Sequence, residues 1–170
     1  MRKFCSLCLL FLPIILQPEE KTHAFGHHPK LSHFNTFIGG SYVGKIENSK
    51  LQGEMLEKCS WRAALNGAAV RMVCEVNEGE YVTEGLINWD PVEKSLVGWF
   101  FSSSGSVTKK YIKTSSNRID IIEDVSSNGN SITKIKTSYT INHLGDLVGA
   151  TQYLMQGIWV GGSEISYKKL

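Results

Sequence analysis

Few residues in this chain join a reactive side chain to a spacing that chemistry could use. The 170-residue sequence carries five histidines, His23, His27, His28, His33 and His143. Four of them lie near the N-terminus, and none has the spacing of a zinc site. A nucleophile motif such as G-x-S-x-G is absent from the sequence. One narrow metal reading exists: processing after Ala24 would leave Phe25-Gly26-His27 behind a free amine. A histidine in third place, His27, can complete a square-planar Cu(II) set; a solvated tail is the plainer reading. The expectation is therefore no metal and no cofactor. The cysteines are Cys5, Cys8, Cys59 and Cys74, and their use depends on which strands face each other.

The elements that position these residues are clearest between Glu57 and Asp90. Asn66-Gly67, set between alternating apolar and polar residues, signals a two-residue type I′ hairpin turn. Counting back from it places Trp61 opposite Met72 and Cys59 opposite Cys74, on one face with Ala63, Leu65, Ala68 and Val70. Lys58, Ser60, Arg62, Arg71 and Glu75 fall on the other face, so one side is apolar and the other mostly polar. Glu78-Gly79, read as a second two-residue turn, adds Tyr81, Thr83, Gly85, Ile87 and Trp89 to the apolar face. Tyr139 and Thr137 are expected to join it from the second half. The candidate interior ligand-binding residues are Trp61, Met72, Tyr81, Thr83, Ile87, Trp89 and Tyr139. Aromatics with a few hydroxyls suit a small-molecule pocket, and they suit a filled barrel core equally well. Glu75, Glu80 and Glu84 fall outside, so this wall offers no carboxylate, histidine or lysine for acid–base work. No catalytic residue is assigned.

Cysteine usage and the N-terminus bear on compartment. Arg2 and Lys3 precede an apolar run from Phe4 to Leu16, too short for a membrane span and typical of a signal peptide. Thr22-His23-Ala24 offers a cleavage site, so residues 1–24 are read as a leader. Neither Cys5 nor Cys8 follows a small residue as a lipoprotein acceptor would, and a free secreted or periplasmic protein is expected. Only Cys59 and Cys74 would then remain, directly opposed, which favours a disulfide. From the turn they count as a hydrogen-bonded pair with Cα atoms about 5.5 Å apart. Two buried thiols acting as small hydrophobes are the alternative.

The remaining chain continues the theme. Residues 25–33 read as an exposed lead-in, and Phe34–Ile46 as a first strand with a glycine-permitted bend. Asp90-Pro91 opens a turn, Leu96–Phe101 is an apolar strand with unassigned faces, and Ser102–Ser106 is a connection. Strands follow over Val107–Lys113, Arg118–Val125, Ile132–Ile141 and Leu147–Met155, with a turn at Ser126–Asn130. Gly157–Gly162 reads as a break before a last strand, Glu164–Lys169. No segment sustains a 3.6-residue apolar period, so helix is minor. Nine or ten short strands with tight turns predict one all-β domain over residues 34–170, a closed antiparallel up-and-down barrel. A net charge of +2 excludes nucleic acid as an expected partner, and stable membrane insertion is not expected.

Certain residues carry a family likeness. Ile38-Gly39-Gly40-Ser41-Tyr42-Val43-Gly44 resembles the G-x-W-x-G opening of lipocalin-like (calycin) barrels, with Tyr42 in place of tryptophan. Glu84-Gly85-Leu86-Ile87-Asn88-Trp89-Asp90-Pro91, then Gly98-Trp99-Phe100-Phe101 and the ending Ser166-Tyr167-Lys168-Lys169, resemble bacterial secreted lipocalin-like proteins of unknown function. The likeness covers roughly Phe34 to Lys169. It implies a barrel whose last strand sends a basic residue, Lys168 or Lys169, over the aromatic of the first. Nitrobindin-type haem barrels are similar in outline, but they use a histidine near the C-terminus. The last histidine here is His143, so haem binding is not carried over. The expected function is binding of a small hydrophobic molecule inside the barrel. The alternatives are an isomerase, cyclase or lyase on an apolar substrate, which needs a charged group inside, and an envelope interaction or inhibitor protein with a filled core.

Overall fold

The computed structural model describes residues 28–47, 54–125 and 131–170; the leader, the cleavage site and His27 lie outside them. Ten strands follow in order: β1 Ser41–Glu47, β2 Glu54–Ala64, β3 Ala69–Val76, β4 Tyr81–Asp90, β5 Ser95–Ser102, β6 Val107–Ser115, β7 Arg118–Asp124, β8 Ile132–Ile141, β9 Leu147–Met155 and β10 Ile158–Lys169. Each pairs antiparallel with its sequence neighbours, and β1 meets β10 to close the barrel. The all-β up-and-down architecture expected from short strands and tight turns is the architecture observed.

The register counted from the turns holds through Ala64 and Ala69, whereas Leu65 and Ala68, expected on the apolar face, lie in the connection and are exposed. Cys59 pairs with Cys74, Trp61 with Met72 and Ala63 with Val70; Val76 then pairs with Tyr81, Cys74 with Thr83 and Val70 with Ile87. The turns themselves are longer than two residues. Asn66 and Gly67 have φ of 55° and 85°, as type I′ requires, but Leu65 also has φ 50°. The ladder ends at Ala64 and Ala69, so the connection is four residues. Asn77–Glu80 repeats this, with Asn77 at φ 48° and Glu78 at 57°. Lengthening both sides of a turn equally keeps the partners but exchanges the two kinds of pair. Cys59 and Cys74 accordingly stand 4.1 Å apart at Cα, near the spacing of a non-hydrogen-bonded pair and not the wider one expected, and they are disulfide-bonded.

Three local expectations are corrected. Phe34–Gly40 is not strand: Pro29–Thr36 forms a 3₁₀ helix, with Pro29 at its start, where a fixed φ and a missing N–H cost nothing. Leu31, Phe34 and Phe37 are fully buried, so the lead-in read as exposed instead carries part of the core. Gly157–Gly162 is not a break. Gln156-Gly157 makes a tight turn with φ 49° and 81°, and β10 runs on through a bulge between Gly161 and Glu164. The faces of β5 are now assigned: Leu96 and Phe100 are buried inside, whereas Trp99 and Phe101 are exposed outside.

The barrel interior divides into two halves. At one end the 3₁₀ helix plugs the mouth. Phe34 and Phe37 pack on Trp61 with ring centroids 6.2 and 5.5 Å away, and Tyr139 meets Trp61 edge-on at 5.5 Å. Ile87, Ile119, Leu147 and Val70 fill the space around them with no exposure. Toward the other end the inward side chains of Thr83, Thr108, Lys110, Glu123, Thr137 and Thr151 are only half-buried. Solvent therefore reaches the side chains of that half.

Candidate functional site

Alternation along each strand decides which polar groups enter the open half. Glu57 lies two residues before Cys59 on β2, and its wall neighbours are Gly44 on β1 and Val76 on β3. Tyr167 on β10 pairs with the same Gly44. Its phenol therefore crosses β1 and donates to the Glu57 carboxylate. Gly44 permits the crossing, since a Cβ there would stand 2.6 Å from Tyr167 Cδ1. Glycines clear a path for Phe100 too: a Cβ at Gly85 would lie 2.3 Å from its ring, and one at Gly98 2.6 Å. Phe100 lies flat along the wall instead of across the lumen.

A second polar group enters from β6 and β7. Lys110 pairs with inward Gly98, and Glu123 pairs with Lys110. Lys110 Nζ lies 4.9 Å from the centroid of the Phe100 ring and 2.8 Å from Glu123 Oε2. Their side chains are 21% and 26% exposed, so the pair is partly shielded from water without being sealed. Glu57 corrects the expectation that the wall between Glu57 and Asp90 carries no carboxylate. Period-2 alternation puts Glu57 on the Cys59 face, two residues before it. Lys110 and Glu123 come from strands whose faces the sequence left open.

Burial and carboxylate contacts set the tyrosines. Desolvation holds the Tyr139 phenol far above its ordinary value, with the nearby Glu57 charge pushing the same way. Tyr167 is shifted upward as well, first by burial and then by Tyr139 and Glu57. Both phenols are hydrogen-bond donors across the working pH range. Among the described residues, Glu57, Cys59 and Cys74 bring ligand atoms within 4.8 Å of one another. Sulfurs bonded to each other are not thiolates, so the oxidised pair is not a metal centre.

The residues proposed from sequence separate by depth. Trp61 and Ile87 are fully buried, Met72 is 5% and Tyr139 8% exposed, all in the plugged half. Trp61 Nε1 has no hydrogen-bond partner among the described residues. Trp89 is half-buried beneath the stacked His28 ring, 5.4 Å away, with Lys30 also over it. Thr83 faces Cys74 and Ser102 in the open half, and Tyr81 sits exposed at its rim. His143 is exposed in the β8–β9 turn. Lys168 reaches Asp146 at 2.6 Å, while Lys169 is the backbone partner of Tyr42.

The wall itself is thin at one seam. β1 pairs with β10 over three residues, Tyr42–Gly44, but with β2 over seven. Beyond Gly44 the two strands flank a groove of about 720 Å³ lined by Lys45, Ile46, Leu56, Glu164 and Ile165 among others. Inward and outward residues both line it, as expected of a slit through the wall.

No protein-family model and no curated protein sequence matches this chain. Among solved structures, the crystal structure of Rv2717c from M. tuberculosis is similar, with a TM-score of 0.53 and 12% identity over 84% of this chain and 98% of that one. Likeness at that identity shows a shared barrel fold and nothing finer.

Proposed function

We propose that this protein is an extracytoplasmic, lipocalin-like barrel that binds a small amphipathic molecule in the open half of its interior. The observation that carries the reading is the contrast between the two halves. One is filled by buried side chains beneath the 3₁₀ plug. The other presents half-buried hydroxyls, an ion pair and a carboxylate beside Phe100, Ile121 and Ile135. An apolar surface with a few convergent polar groups is the usual make-up of a ligand site. Placement outside the cytoplasm is supported by the Cys59–Cys74 disulfide.

Native mass spectrometry of the protein from its own host tests this, together with dye binding. An environment-sensitive apolar dye should brighten with the intact protein and lose most of that response in Thr137→Trp, which fills the lumen. Unchanged dye binding in that variant, with no co-purifying ligand, would sink the proposal.

A second reading has a specific observation behind it. Glu57 and Lys110 supply the interior ionisable groups that an isomerase, cyclase or lyase on this barrel would need. It predicts turnover of a bound molecule that stops in Glu57→Gln.

A further inference from the structure

Resting on that reading, we infer that the ligand carries a cationic or strongly hydrogen-bond-donating nitrogen head, held by Glu57. Among the described residues, three charged side chains enter the open half: Glu57, Lys110 and Glu123. Lys110 and Glu123 satisfy one another at 2.8 Å. Among the described residues, Glu57 is left with no cation. Its neighbours in the wall are a glycine and a valine, and it accepts a hydrogen bond from the neutral phenol of Tyr167.

A carboxylate has two oxygens and roughly four acceptor positions, and one phenol fills a single position. The disulfide beside it donates nothing. A partly desolvated carboxylate attracts a positive charge more strongly than it would in bulk water and repels an anion by the same physics. The lumen thus carries a net charge of one minus on a wall that also holds Phe100, Ile121 and Ile135 among its threonines. A small molecule with an apolar body and an ammonium or amidinium head matches both parts. A fatty acid matches only the first.

Calorimetry of the full chain with decylamine, decan-1-ol and decanoate, each below its micelle concentration, separates the cases. The amine should bind at least about tenfold more tightly than the alcohol, since either head can donate a hydrogen bond to the carboxylate but only the ammonium adds charge–charge attraction to it. Decanoate should bind more weakly than either. Glu57→Gln should remove most of the amine's advantage over the alcohol, because the charge–charge attraction goes with the carboxylate. Tyr167→Phe, which keeps the charge, should keep the preference. Equal binding of the three probes, or an amine preference that survives Glu57→Gln, would overturn the assignment while leaving a ligand-binding barrel intact. Binding of none of them would remove both.

Discussion

Tyr167 and Glu57 are 110 residues apart in the chain, and the hydroxyl of one donates to the carboxylate of the other across an intervening strand. They sit on β10 and β2, the two strands that flank β1. Gly44 lies between them as the backbone partner of both. The contact does two things together. It ties the closing strand to the start of the sheet where only three residue pairs join β1 to β10, and it sets the orientation of an interior carboxylate.

Gly44→Ala should therefore weaken closure of the barrel. The new methyl would meet Tyr167 Cδ1 at 2.6 Å and Ile165 Cγ2 at 2.9 Å. Displacing a packed ring typically costs about 1–3 kcal/mol. Urea denaturation should show that loss, whereas Gly161→Ala, where a Cβ meets nothing within 4 Å, should stay near the parent value. Equal midpoints for the two variants would argue against the ring lying over Gly44.

The Cys59–Cys74 bond closes a short hairpin with a sequence separation of 15. Cross-linking a loop of that size restricts the unfolded chain by about 3 kcal/mol. The double variant Cys59→Ala/Cys74→Ala should unfold at correspondingly lower urea concentration while keeping its β circular dichroism. The register depends on the turns, so it survives the loss of the bond. Two free thiols in non-reduced protein, counted by intact mass after alkylation, would contradict the pairing.

Three tyrosines link stability to alkaline pH. Tyr42, Tyr139 and Tyr167 are all raised in the folded protein, Tyr42 and Tyr139 chiefly by burial and Tyr167 by burial followed by its neighbours. A group that holds its proton more tightly when folded contributes stability fully below its unfolded pKa, near 10 for tyrosine. That contribution falls as the pH rises above this value. Ultraviolet titration should find these phenols ionising only as the barrel unfolds, and Tyr139→Phe should flatten the decline above about pH 10. Full phenolate absorbance with native circular dichroism would count against their burial.

How far the site was legible depends on distance along the chain. Pairing of β2, β3 and β4 could be counted because Asn66-Gly67 and Glu78-Gly79 punctuate an alternating pattern. The count survived even though each turn took in two more residues, because the lengthening was symmetric. Glu57 was within reach of the same counting, two residues from Cys59. Lys110 and Glu123 were not. The Ser102–Ser106 connection did not set its own register, so alternation in β6 had no origin from which to assign faces.

What the sequence by itself determined was local. Period-2 alternation and glycine turns specified an antiparallel meander, its register through Asn88, and the opposition of Cys59 and Cys74. Only the tertiary structure decided that the meander closes through Tyr42–Gly44 on β10, that Leu31, Phe34 and Phe37 plug one end, and that Tyr167 finds Glu57. The physical reason is that side-chain parity is dictated by neighbouring peptide units. Ring closure depends instead on strand tilt and stagger accumulated over ten strands, and no single segment encodes that sum.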